Sequence, residues 1–246
     1  LAQTTLQVVR GETTVEVILN RPEVRNAINQ TMVDELHEVC SELERDPRIL
    51  ILGGAGGTFA SGADIAELRD RRAADALAGI NTRLFVRIAE LPMPVIAVLD
   101  GPALGGGAEL AYAADFRIAS PALRIGNPEV SLGIIAAAGA NWRLRELVGE
   151  PLAKEILLAG RVLTADEALA ARLVTEIHPP SELPGAARAL ADRILRGDPA
   201  ALRATKRVFA AGRSEHPRID LEEQAVLFDS PSKVALMTAF LDRKQS

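Results

Sequence analysis

The chain is poor in cysteine, histidine, aromatics and lysine, and each shortage excludes something. Cys40 is the only cysteine, so neither an intramolecular disulfide nor a cysteine metal cluster can form. A reducing compartment suits such a chain, and the cytoplasm is the expected location. The histidines, His37, His178 and His216, stand in no metal-ligand spacing, so no metal is expected. Lysine occurs only at 154, 206, 233 and 244, the basic residues are scattered, and the net charge is −5. A nucleic-acid groove would leave a basic stripe, so no nucleic acid is expected as a partner. No apolar run approaches the roughly 20 residues of a spanning helix. Leu1-Ala2-Gln3-Thr4 lacks the basic and apolar regions of a signal peptide. No membrane association is expected. The single tryptophan and tyrosine, Trp142 and Tyr112, read as core residues rather than stacking platforms. Nucleotide and nucleophile signatures are missing too: no Gly-x-Gly-x-x-Gly closes a strand, no Gly-x-x-x-x-Gly-Lys-Ser/Thr occurs, and Ser61 lies in no Gly-x-Ser-x-Gly elbow.

What remains is a chain of 246 residues, 48% hydrophobic, enough for a substantial core without staples. Val15, Val17 and Leu19 alternate in a β-rich run after the turn Arg10-Gly11-Glu12, which predicts an opening hairpin. Met32, Val33, Leu36, Val39, Cys40 and Leu43 repeat with a helical period over 30–45. Ile49–Leu52 and Val95–Leu99 read as short buried strands. Ile80, Leu84 and Ile88 mark a helix between them, stopped by Leu91-Pro92-Met93-Pro94. Strands alternating with helices predict an α/β fold. After about 185 the pattern becomes helical, over 186–212 and 219–243, interrupted by Gly197-Asp198-Pro199 and Ser230-Pro231. The expected organisation is a core of 1–185 followed by a helical region, 186–246.

Two glycine-rich turns follow the buried strands, Phe59-Ala60-Ser61-Gly62-Ala63-Asp64 and Gly101-Pro102-Ala103-Leu104-Gly105-Gly106-Gly107. Each can present free backbone N–H groups to a developing oxyanion. If a helix begins near Leu104, Glu109 lies three residues past Gly106, about one turn further in. Three glycines also mark close packing, and a first-turn Glu can simply complement the helix dipole. Glu129, after Gly126-Asn127-Pro128, can equally be a solvated loop residue.

One ordered set of segments changes the balance: Leu19 to Asn29, Phe59 to Leu68, Asp100 to Asp115, and Asn127-Pro128-Glu129, continuing through Leu158-Ala159-Gly160-Arg161, Ala165 to Ala168 and Leu173-Val174 to Ala239 to Lys244. Together they resemble the crotonase family, the enoyl-CoA hydratase/isomerase superfamily, over nearly the whole chain. The resemblance implies a spiral of ββα turns with C-terminal helices that mediate a trimer, or a dimer of trimers. It implies an oxyanion hole from the N–H groups of Ala63 and Gly106. The acyl-CoA thioester would lie along Ala63, Asp64, Ile65 and Ala66. Arg25, Ala27 and Ile28 would embrace the adenine and phosphate end of CoA, with Arg243 or Lys244 near the phosphate. CoA is then part of the substrate, and no separate cofactor is implied. Hydratases of the family use two glutamates, and Glu109 and Glu129 stand at both positions. That pair implies addition of water to a 2-enoyl-CoA, giving the 3-hydroxyacyl-CoA. The alternatives are an isomerase working with the second glutamate, another CoA-enolate chemistry, or a CoA-binding member without turnover. There is one departure. Ala136-Ala137-Ala138-Gly139-Ala140-Asn141 replaces a Pro-Gly-Ala-Gly-Gly turn, leaving the pocket near Trp142 undefined.

Overall fold

The structure is a computed structural model that describes residues 4–245, with side chains through 242. Leu1, Ala2 and Gln3, and the side chains of Arg243 and Lys244 proposed for phosphate contact, lie outside the described residues. Two compact units are present, Leu1–Ala191 and Asp192–Ser246.

The first unit is built on a six-stranded sheet whose strands lie in the order Leu6–Arg10, Thr14–Leu19, Ile49–Gly54, Val95–Leu99, Phe116–Ala119 and Glu176–Ile177. Strand β1 (Leu6–Arg10) and β2 (Thr14–Leu19) form the predicted hairpin, and β2 buries Val15, Val17 and Leu19 on alternate residues. Helix α1 (Gln30–Arg45) starts on Asn29, whose side chain accepts the Met32 N–H. The next strands, β3 (Ile49–Gly54) and β4 (Val95–Leu99), are nearly continuous apolar runs because both faces are covered. Short helices α2 (Ile65–Asp70) and α3 (Ala73–Ala78) and then α4 (Ile80–Ala89) connect them, and α4 packs on α1.

Beyond β4 the chain forms β5 (Pro102–Leu104), α5 (Gly106–Tyr112), β6 (Phe116–Ala119) and β7 (Arg124–Gly126). There follow α6 (Ala140–Val148), α7 (Glu150–Ala159), β8 (Val162–Thr164), α8 (Ala165–Ala170), β9 (Glu176–Ile177) and α9 (Leu183–Ile194). Strands β2, β3, β4, β6 and β9 run parallel. A second layer repeats behind them: Ile28 bridges Ala63, Ala60 bridges Ala103, and Ala103 pairs with Ile125. Each pass thus contributes a strand to the large sheet and an extended segment to the second layer before the next pass stacks in parallel, giving the expected spiral.

Two expectations need correction. Helix α5 begins at Gly106 rather than near Leu104, because Pro102–Leu104 is engaged as β5 beside β7. Trp142 is not a core residue. It is 43% exposed on α6, with the Arg143 guanidinium 5.7 Å from its ring centroid.

The second unit holds α10 (Pro199–Ala210), α11 (Arg218–Phe228) and α12 (Pro231–Gln245). Asp198 caps α10 by accepting the Ala200 and Ala201 N–H groups, and its other oxygen accepts the Ser232 hydroxyl at the start of α12. Arg207 pairs with Glu223 across α10 and α11. Phe209, Leu221, Val226 and Met237 of this unit are exposed.

Candidate active site

Ala63 is fixed by pairing with the segment before α1. The Ser61 N–H donates to Arg25 O (3.0 Å), the Ile28 N–H to Gly62 O (2.8 Å), and the Asp64 N–H to Ile28 O (2.9 Å). Successive groups of an extended strand face opposite sides. Since Gly62 O and the Asp64 N–H turn to Ile28, the Ala63 N–H turns away from it. Gly106 lies close by: a Cβ on Gly106 would stand 3.4 Å from Ala63 N. Side chains lock the arrangement. Arg21 Nη1 donates to Ala27 O (2.6 Å) and Asp64 Oδ2 (3.2 Å), and buried Asn26 donates to the carbonyls of Ala55 and Thr58.

Gly105 turns the chain from β5 into α5 at φ 52° and ψ −125°, a conformation that a side chain disfavours. Its N–H donates to Gly126 O (2.9 Å). Gly106 is then the first residue of α5, so its N–H has no acceptor within the helix. Gly107 has a different task. A Cβ there would fall 2.2 Å from Ala60 O, so this glycine lets α5 pack on the Ala60 backbone. Close packing thus accounts for Gly107, while Gly106 stands at the first position of the helix, where its N–H has no acceptor within α5.

Glu109, in the first turn of α5, is 3% exposed. Its Oε1 accepts the Ala138 N–H at 2.7 Å and the Ala140 N–H at 3.1 Å. Both donors come from the segment that departs from the family pattern, and Gly139 between them adopts φ 134°. Burial raises the Glu109 carboxyl to about 7; the Ala140 and Ala138 N–H groups oppose the rise, and the charge of Glu129 adds to it.

Glu129 opens a single 3-10 turn, Glu129–Leu132, and is 9% exposed, so it is not a solvated loop residue. Its Oε1 accepts from Asn127 Nδ2 (3.3 Å), while Oε2 is buried without a partner among the described residues. Asn127 Nδ2 also reaches Gly105 O (3.3 Å), and Asn127 Oδ1 accepts the Tyr112 hydroxyl (3.1 Å). Burial raises the Glu129 carboxyl, against its own backbone N–H and the Asn127 amide.

Both glutamates line one cavity of about 460 Å³, together with Ala63, Gly105 and Gly106. Its apolar wall includes Ile65, Leu68, Leu132, Ile134 and Ile135. Of the other predicted residues, Asp64 and Ala66 do not line it. Asp64 caps α2, accepting the Ala66 N–H at 3.1 Å. Ile28 is fully buried beneath Ala63, and Arg25 is exposed with φ 53°. Ala27 lies beside them, its carbonyl held by Arg21. Four residues escaped the sequence reading as site components. Ala138 and Ala140 act through backbone alone, which no residue pattern reports. Asn127 stood inside a quoted motif without a role. Asn81 lines the cavity from α4 with its Oδ1 buried and unpartnered, and its Nδ2 would be 3.7 Å from a Cβ on Gly106.

No group of three or more His, Cys, Asp or Glu that could hold a metal ion occurs among the described residues, and none of their helices is long and apolar enough to cross a membrane. The arrangement can do proton chemistry: two buried carboxylates face one largely apolar cavity that Ala63 and Gly106 also line.

Comparison with known proteins agrees. The sequence profile of the family Enoyl-CoA hydratase/isomerase matches residues 10–246. The short-chain-enoyl-CoA hydratase of Clostridium acetobutylicum is 37% identical over 238 residues, covering 93% of this chain and 91% of that protein. The crotonyl-CoA hydratase of Syntrophomonas wolfei is 35% identical over 93% of this chain and 91% of its own. The crystal structure of an enoyl-CoA hydratase from Bacillus anthracis superimposes with a TM-score of 0.92 at 28% identity, covering 98% of this chain and 97% of that one. The chain belongs to the enoyl-CoA hydratase/isomerase family.

Proposed function

We propose that the protein is an enoyl-CoA hydratase that adds water across the 2,3 double bond of a 2-enoyl-CoA. The observation that carries this is the pair of buried glutamates in one cavity with unlike partners. Glu109 Oε1 receives two backbone N–H groups, which favour its ionised form; Glu129 keeps Oε2 unpartnered, able to hold a proton. The relatives named for hydration of short-chain enoyl-CoA and crotonyl-CoA support the same reading.

The thioester oxygen would sit between the N–H groups of Ala63 and Gly106. These donors stabilise negative charge on it, so the β-carbon becomes electrophilic. Water then attacks that carbon while Glu109 accepts one of its protons, and the π electrons move to the thioester oxygen as an enolate. Glu129 gives a proton to the α-carbon as the enolate collapses. One hydroxyl and one proton have been added, and the glutamates exchange protonation states until solvent restores them. CoA enters as part of the substrate and no further cofactor is required. Arg25, Ala27 and Ile28 are assigned to the adenine and phosphate end, and Ile65 to the acyl path. The exposed apolar residues of the helical unit suit a homotrimer, or a dimer of trimers. Incubation with crotonyl-CoA, following loss of the enoyl-thioester absorbance, tests the activity. Isomerisation of a 3-enoyl-CoA without hydration of crotonyl-CoA would replace it with the isomerase reading.

A further inference from the structure

Tyr112 lies at the far end of α5, one helical turn beyond Glu109, and is 3% exposed. Its hydroxyl donates to Asn127 Oδ1 at 3.1 Å. Because that oxygen is occupied by a donor, the amide nitrogen of Asn127 must face the other way. There it serves two acceptors at 3.3 Å, Gly105 O and Glu129 Oε1. The chain Tyr112–Asn127–Glu129 is buried throughout, with Asn127 1% and Glu129 9% exposed.

We propose that Tyr112 is a positioning residue for proton delivery, acting through Asn127 to keep the transferable proton of Glu129 on Oε2. The inference rests on the reading of Glu129 as the proton donor. An oxygen that accepts an N–H bond cannot carry the proton along the same direction. Asn127 therefore reserves Oε1 as an acceptor, and the proton goes to Oε2, the oxygen without a protein partner. Removing the tyrosine hydroxyl leaves Asn127 Oδ1 as a buried acceptor without its donor, a state that buried amides avoid. A donor within reach of a turned amide is then the proton of Glu129 itself, drawn to Oε1 and away from the substrate. Burial and the two nearby glutamates push the tyrosine hydroxyl up, so it stays protonated and remains a donor. Gly105 couples this network to the rest of the site, since its carbonyl accepts both the Asn127 amide and the Glu109 N–H.

Tyr112→Phe removes one hydroxyl and keeps the ring, so it tests the relay with little change in packing. Crotonyl-CoA hydration is measured on the full chain for the parent, Tyr112→Phe, Asn127→Leu and the double variant, with Glu129→Gln as reference. The expected result is a fall in kcat of about tenfold for Tyr112→Phe, with KM within about twofold. In the Asn127→Leu background the same change should cost less than about twofold, because the relay is already cut. A merely structural tyrosine would lower kcat by the same factor in both backgrounds, which overturns the inference, as does parental kcat in Tyr112→Phe. Activity that survives Glu129→Gln overturns the underlying reading of Glu129, and this inference with it. An inactive Glu129→Gln beside a fully active Tyr112→Phe overturns this inference alone.

Discussion

Glu109 costs the fold stability while serving the reaction. Its carboxyl is raised to about 7 by burial, from 4.5. Between those values the folded protein binds more protons than the unfolded chain, so stability is fully present below the unfolded value and falls as pH rises to about 7. The raised value corresponds to roughly 3 kcal/mol. Glu109→Gln should therefore raise the melting temperature at pH 8 while lowering hydration by on the order of 10²–10⁴; an unchanged or lower melting temperature contradicts this account of Glu109. The charge of Glu129 adds to the rise at Glu109, and burial raises Glu129 as well. Glu109 must be ionised to accept the proton of water, so hydration should fall as pH drops below about 7; a pH profile of kcat/KM measures it, and a flat profile there would contradict Glu109 as the base. Little of this was legible in the sequence beforehand. Glu129 follows an ordinary-looking Asn-Pro, and only the fold shows that it is buried beside Glu109.

At the scale of elements, the triple glycine separates by what a methyl group would meet. A Cβ on Gly106 would stand 3.4 Å from Ala63 N, between the proposed oxyanion donors. Gly106→Ala should keep stability within about 1 kcal/mol yet lower kcat/KM on the order of 10²-fold. On Gly107 the Cβ would be 2.2 Å from a backbone carbonyl, so Gly107→Ala should destabilise by about 3 kcal/mol or more. Urea denaturation beside steady-state kinetics distinguishes the two; equal stability losses would contradict the division of labour. Elements with several turns, full alternation or an unbroken apolar run were readable, as α1, α4, β2 and β4 show. Strands β5, β7, β8 and β9 span only two or three residues, too few for a period to appear, and pairing with distant segments defines them. The segment Ala136 to Ala140 was unreadable for another reason: its contribution is two N–H groups, which any non-proline residue provides.

For the whole molecule, the six-stranded sheet supplies the rigid frame, and the second layer sets Ala63 and Gly106 side by side at successive passes of the chain. The helical unit exposes Phe209 at 91% and Val226 at 71%. Such surfaces are covered in stable oligomers, so sedimentation should find a trimer or hexamer, and a monomer at micromolar concentration would contradict that assignment. Family membership and the proposed chemistry meet in one assay. Crotonyl-CoA is mixed with the parent, Glu109→Gln and Glu129→Gln proteins, and loss of the enoyl-thioester absorbance is followed. The account predicts rapid loss with the parent and on the order of 10²–10⁴ slower loss with either variant. Parental rates in both variants, or no hydration by the parent, would contradict it.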